Sequence, residues 1–166
     1  SWDVSSVQKM NQMFLGDKSL TNIFALSKWN TRNLNELNST FYSCANLQSL
    51  EALSKWNTPS LTTMRYCFAF NSSLITVNGL EDWDVSNVID MSYLFSGCTK
   101  LSDVTALLNW NTSSVEKLEG LFGNSSRNGA RSLESLNGLQ NWDTSNVTSM
   151  AYMLFDCVLL KVISAL

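Results

Sequence analysis

Four cysteines, fourteen acidic residues, eleven basic residues and no histidine make up the reactive inventory of this 166-residue chain. Without histidine, no Ser-His-Asp or Cys-His constellation can form, and the commonest zinc and copper ligand is missing. The thiols are Cys44, Cys67, Cys98 and Cys157, and no two of them stand in the C-x-x-C spacing that holds zinc or exchanges disulfides. Carboxylates gather at Glu81, Asp82 and Asp84 and at Glu116 and Glu119. Neither group lies in the Gly-rich or apolar setting that tunes a pKa for acid–base work. No P-loop, GxGxxG or GxSxG sequence occurs. The expectation is a protein that is not an enzyme, with no catalytic residue, no cofactor and no metal site.

The bulk composition narrows the partners. Net charge is −3 and only 15% of residues are charged, against roughly 25% in ordinary soluble domains. Polarity is carried instead by 25 Ser, 12 Thr and 18 Asn. The basic residues are scattered among the acidic ones and form no patch that could hold phosphates, so nucleic acid is not an expected partner. No apolar run approaches the ~18 residues of a membrane span, so no transmembrane segment is expected in this chain.

The elements that would position these groups follow from a repeat. Tryptophan occurs at 2, 29, 56, 83, 110 and 142, spaced by 27 residues four times and then by 32. Each is followed by Asp or Asn. Five residues on comes Val or Leu, eight on Met or Leu, and twelve on Phe14, Phe41, Phe68, Phe95 and Phe122, with Leu154 breaking the last column. The longer interval reflects extra residues within 123–132, whose Gly, Ser and Asn content reads as a loop insertion. In each repeat, apolar residues spaced by three and four, such as Val88, Met91, Leu94, Phe95 and Cys98, predict one face of a short helix. Ser5 with Gln8, Asn33 with Glu36 and Ser113 with Glu116 read as its capping boxes. A second stretch, near Ser49-Leu50 or Thr76-Val77, reads as a short strand. A single repeat cannot bury its apolar face, but stacked repeats can. The expected architecture is therefore α/β, a leucine-rich-repeat-like solenoid forming a single domain over 1–166, with six coils of ~27 residues that each carry one short strand and one short helix.

Segments such as Trp83-Asp-Val-Ser-Asn-Val-Ile-Asp-Met-Ser-Tyr-Leu-Phe-Ser-Gly-Cys98 and Trp142-Asp-Thr-Ser-Asn-Val-Thr-Ser-Met resemble the BspA-type leucine-rich repeat surface proteins, whose repeat W-D-[TV]-S-N-V-x-x-M-x-x-M-F-x-x-C occurs in lactic-acid bacteria and mycoplasmas. The resemblance runs coil after coil along essentially the whole chain. It implies an extracellular protein on a bacterial cell surface, held to wall or lipid through regions outside this chain. Adhesion to host or matrix molecules is the function it implies, and the motif is one of packing, with no catalytic residues.

Each candidate site has a plain structural reading beside it. Cys44, Cys98 and Cys157 recur in alternate coils, which strand spacing would place on the order of 10 Å apart. That exceeds the ~7 Å a disulfide spans, so the thiols are expected to be small free groups lining the interior. The Asp or Asn after each Trp could be a stacked calcium site, but only Asp3, Asp84 and Asp143 are carboxylates. An Asx turn is the favoured reading. What remains is surface. Residues between the core leucines should face outward on the sheet side, where such arrays commonly bind partners. Asn22, Phe24, Glu51, Asn78 and Asp103 are the candidates there. Phe24 is the apolar one, either a contact or a side chain folded over the terminal coil. Arg127 and Arg131 in the inserted loop are further candidates, with neutral length drift as the other explanation. The leading function is a surface module binding an extracellular protein or glycan. The alternative is a spacer or stalk that projects another domain. The chain also reads as an excerpt of a longer array, or as a piece whose ends pack against neighbouring coils or another copy.

Overall fold

Apolar residues at fixed positions after each tryptophan leave every 27-residue unit with a side that only a neighbouring unit can cover. The computed structural model, which describes residues 2–163, shows how the covering is achieved. Single parallel bridges join Lys9 to Glu36, Glu36 to Thr63, Thr63 to Asp90, Asp90 to Lys117 and Lys117 to Ser149. A second line joins Thr76 to Asp103 and Ser135 to Val162. No bridge extends into a strand, and among the described residues there is neither a sheet nor an α-helix. The regular elements are three 3-10 turns, Phe24–Lys28, Glu51–Leu53 and Thr105–Leu107.

The expected α/β solenoid, with a strand and a helix in every coil, is thereby overturned. The two stretches partly exchange roles. The stretch spaced like a helix carries the continuous line of bridges, and the stretch resembling a strand leads into the 3-10 turn at Glu51–Leu53. The reason lies in where the amides point. In the Trp83 unit, the amides of Met91, Tyr93 and Phe95 cross to the carbonyls of Lys117, Glu119 and Leu121 in the next unit, at 3.0, 2.7 and 2.9 Å. Between them, Leu94, Ser96 and Cys98 donate three residues back, to Met91, Tyr93 and Phe95. An α-helix needs every amide aimed along its own axis at residue i−4, and this alternation forbids it. Backbone handedness alternates as well. Tyr93 and Gly97 have φ of 60° and 76°, and the equivalent pairs Ser39 and Ser43, and Tyr66 and Phe70, are also left-handed. Side chains three and four apart still reach one face, so the spacing mimics a helix.

Columns of like residues fill the core. Phe14, Phe41, Phe68, Phe95 and Phe122 stack with centroids 5.2 to 5.9 Å apart. Trp56 and Trp83 lie parallel at 5.8 Å. Four indoles are polar-satisfied, since Nε1 of Trp56, Trp83, Trp110 and Trp142 donates to the carbonyl of Leu26, Leu53, Leu80 and Leu107, each three residues before the preceding tryptophan. The expected free thiols are present. Cys44 and Cys98 donate to the carbonyls of Phe14 and Phe68 at 3.1 Å, and burial pushes the Cys98 thiol up to about 12. The Asx turns also form. The carboxylate oxygens of Asp3, Asp84 and Asp143 accept the amides of Ser5, Ser86 and Ser145. With no helix to cap, Asn33, read as a cap, donates its side-chain amide to the carbonyl of Ser5 in the neighbouring unit.

Candidate functional site

Left-handed backbone at the tenth position after tryptophan places Tyr66 and Tyr93 side by side in consecutive units, with φ of 57° and 60°. Bulky residues rarely adopt this conformation, and where they do the local strain is a pointer to use. The two rings lie parallel with centroids 4.6 Å apart. Tyr42 meets Tyr66 edge-on at 6.1 Å and Phe70 at 5.2 Å. The four rings form a half-buried ridge across three neighbouring units.

Two glycines seat it. A Cβ on Gly97 would lie 2.6 Å from the Phe70 ring, and one on Gly120 would lie 2.3 Å from the Tyr93 ring. Charge borders it on both sides. The Arg65 guanidinium sits 5.1 Å from the Tyr66 ring centre, a cation–π distance. The Tyr93 hydroxyl donates to the Glu119 carboxylate, and burial together with that carboxylate pushes the Tyr93 phenol up to about 12. A phenol so held is a hydrogen-bonding edge and a poor acid. The arrangement can grip a partner; it does not assemble a nucleophile with a base.

The residues picked out from sequence fall elsewhere. Asn22, Phe24 and Glu51 do come together, lining a shallow groove with Thr21 and Ala52. Asn22 is engaged in its own turn, accepting the Phe24 amide at 2.8 Å. Asp103 is half-buried and accepts both the amide and the hydroxyl of Thr105. Asn78 is exposed. With no sheet among the described residues, the sheet-side argument for these positions lapses. Phe24 is 67% exposed, so it is not folded over the end unit. It borders an open groove shared with Trp2, Met13, Phe14 and Trp29. In the inserted loop, Arg127 is exposed and Arg131 Nε lies 3.7 Å from an Asp156 carboxylate oxygen. That loop is fitted into the stack: Asn128 supplies the carbonyl that Gly97 needs, at 2.7 Å, and Asn124 donates to the Ser96 hydroxyl. The ridge was missed in the sequence, although tyrosine at the same position of two consecutive repeats was visible there.

Units stacked in register, with an apolar column core and side surfaces of neutral polar residues, define a repeat protein. The family model described as Mycoplasma protein of unknown function, DUF285, matches residues 1–75 and again residues 68–162. The chain belongs to that family, the family of BspA-like mycoplasma repeat proteins. No curated protein and no solved structure matches the chain. Among the described residues, no helix is long and apolar enough to cross a membrane.

Proposed function

We propose that this chain is a non-enzymatic binding module on a bacterial cell surface that holds an extracellular protein on the ridge of Tyr42, Tyr66, Phe70 and Tyr93. The observation that carries this reading is the stacked Tyr66–Tyr93 pair, flanked by Arg65 and Glu119. Tyrosine and arginine dominate the energetics of protein interfaces. The Tyr66 and Tyr93 faces meet each other, and the Tyr93 ring also lies close against Gly120. That presentation suits a protein surface better than a sugar ring, which wants a free aromatic face. Family membership and the W-D-[TV]-S-N-V pattern shared with surface proteins support the placement.

The test is a binding screen of the purified chain against matrix proteins, mucins and glycans, followed by the Tyr66→Ser/Tyr93→Ser double variant. Serine already occupies this column at Ser39, also with positive φ, so the fold should survive. Loss of about 10–100-fold in affinity for a protein ligand is expected, equivalent to about 1.4–2.8 kcal/mol, with the melting temperature little changed. Binding to glycans alone would displace the protein reading. No binding by the intact chain would favour a stalk that only spaces another domain, and full binding by the double variant would move the binding surface off the tyrosine ridge.

A further inference from the structure

The position nine residues after each tryptophan is neutral in most units, as Asn11, Asn38, Ser92 and Ala151. It is charged at Arg65 and Glu119, the two that border the stacked tyrosines. Those two charges are in different states. Glu119 accepts the Tyr93 hydroxyl. Glu36 and Asp90, on the bridge line in the units either side of Arg65, are engaged as well. Glu36 lies 2.6 Å from Lys9 Nζ and accepts the Asn11 side-chain amide at 2.7 Å. Asp90 accepts the Ser92 amide at 2.9 Å, with Lys117 Nζ 3.9 Å away. Arg65 has no such partner. Among the described residues, no carboxylate pairs with its guanidinium and no oxygen accepts from it.

The guanidinium is nonetheless held in place. The Arg65 amide donates to Asn38 Oδ1 at 3.0 Å, and the Arg65 carbonyl accepts the Ser39 amide at 2.9 Å. Tyr93 covers one face of the Tyr66 ring, and the guanidinium lies over the other, 5.1 Å from the ring centre. The unit before carries Ser39 where a third ring would stand. The cation therefore ends the aromatic row, and it is exposed. Attraction to the ring restrains the charge without consuming the planar fork of N–H donors. That fork matches a carboxylate through two parallel hydrogen bonds.

We infer that Arg65 sets the specificity of the ridge by receiving the side-chain carboxylate of an Asp or Glu on the partner protein, an assignment that rests on the ridge as the binding surface. Tyr42, Tyr66 and Phe70 then pack beside that acid and exclude water from the ion pair, which strengthens it. The surroundings disfavour a denser anion. A net charge of −3, with Asp90 in the next unit and Glu119 on the same ridge, opposes a chain of phosphates or sulfates. A single carboxylate facing a single arginine meets far less repulsion. A basic partner fits worse, because each neighbouring carboxylate already has a donor.

Nuclear magnetic resonance titration of the 166-residue chain tests this with three short probes. They are acetyl-Gly-Leu-Glu-Leu-Gly-amide and the same peptide with Gln or Lys at its centre. The readouts are the Arg65 Nε–H signal and the ring signals of Tyr66 and Tyr93. The Glu peptide should move all of them and bind about tenfold more tightly than the Gln peptide, by a margin that shrinks in high salt. In Arg65→Gln that margin should vanish. Neutral Asn38 and Ser92 hold the same position in adjoining units, so the fold should survive; should it not, the wild-type ratio decides alone. Equal affinity for the Glu and Gln peptides, a preference for Lys, or an Arg65 signal unmoved by tens of millimolar Glu peptide would each overturn the inference. A larger Arg65 response to a heparin oligosaccharide would do the same. The ridge itself is tested separately. If Tyr66 and Tyr93 respond equally to all three peptides, the ridge stands and the carboxylate assignment is lost. If Arg65 responds to the Glu peptide undiminished in the Tyr66→Ser/Tyr93→Ser variant, the ridge is not the binding surface, and the assignment falls with it.

Discussion

A thiol in the Cys98 position has one task that aliphatic residues cannot perform: it donates to the Phe68 carbonyl, which the stacked rings close off from water. Asn71 occupies the same column one unit earlier and serves it with a side-chain amide, donating to the Phe41 and Phe68 carbonyls at 3.0 and 2.9 Å. Burial raises the folded pKa of Cys98 to about 12 and those of Cys44 and Cys157 to about 11, from an ordinary 9.0. The sign of the linkage follows. The unfolded chain ionises these thiols from about pH 9 upward while the folded chain keeps them protonated, so the unfolded state is favoured as pH rises. Their contribution is fully present below pH 9 and is lost between pH 9 and 12. Urea unfolding at a series of pH values should show stability falling across that window, with a shallower fall in Cys98→Ala. A flat profile to pH 11, or a native Cys98 that reacts readily with thiol reagents at pH 9, would contradict the burial described here. Free, interior thiols were legible from their spacing in the sequence. Their carbonyl partners were not, because those depend on which neighbouring unit each side chain faces.

At the scale of the element, one position decides the form of the turn that follows the leucines. Ala25, Ala52 and Ala106 lie within the 3-10 turns Phe24–Lys28, Glu51–Leu53 and Thr105–Leu107. Gly79 and Gly138 hold the same place in the Trp56 and Trp110 units, each after an asparagine, and no 3-10 turn forms there. Close approach is what demands glycine: a Cβ on Gly138 would lie 1.8 Å from the Val104 carbonyl oxygen. The obstacle is backbone and cannot rotate away, so Gly138→Ala should cost more than about 3 kcal/mol. Thermal unfolding would reveal it, with Ala52→Gly as the control, costing about 1 kcal/mol or less. The elements were misassigned because periodicity reports which side chains share a face and says nothing about where the amides point. Left-handed φ at every fourth residue, as at Tyr66 and Phe70, gives the same apolar face as a helix without its hydrogen bonds. The repeat and its columns were thus readable, and the aromatic ridge became visible only once those φ values placed the tyrosines.

Across the whole molecule, nearly every unit touches only the units before and after it, and stability is then close to a sum of unit and junction terms. The inner junctions are alike: four crossing amides and stacked phenylalanines join the Trp56 unit to the Trp83 unit, and the Trp83 indole reaches back to the Leu53 carbonyl just before Trp56. Among the described residues, the Trp2 and Trp142 units each meet one neighbouring unit, and column residues there are exposed, as at Trp2 and Met150. In the 166-residue chain, opening should therefore start at the Trp2 and Trp142 units and travel inward, with the middle the last to yield. Native-state hydrogen exchange reads this directly. The amides of Met64, Tyr66, Phe68, Met91, Tyr93 and Phe95 should exchange slowest, near the rate set by global unfolding. Those of Met150, Tyr152 and Leu154 should exchange fastest, because they cross to no neighbour. The inserted loop adds an asymmetry. Through Asn128 and Asn124 it supplies partners to Gly97 and Ser96, so the Trp83–Trp110 junction should hold after the Trp110–Trp142 junction has opened. A single rate for all amides would mean that the stack unfolds as one body, and the additive picture of its junctions would fail.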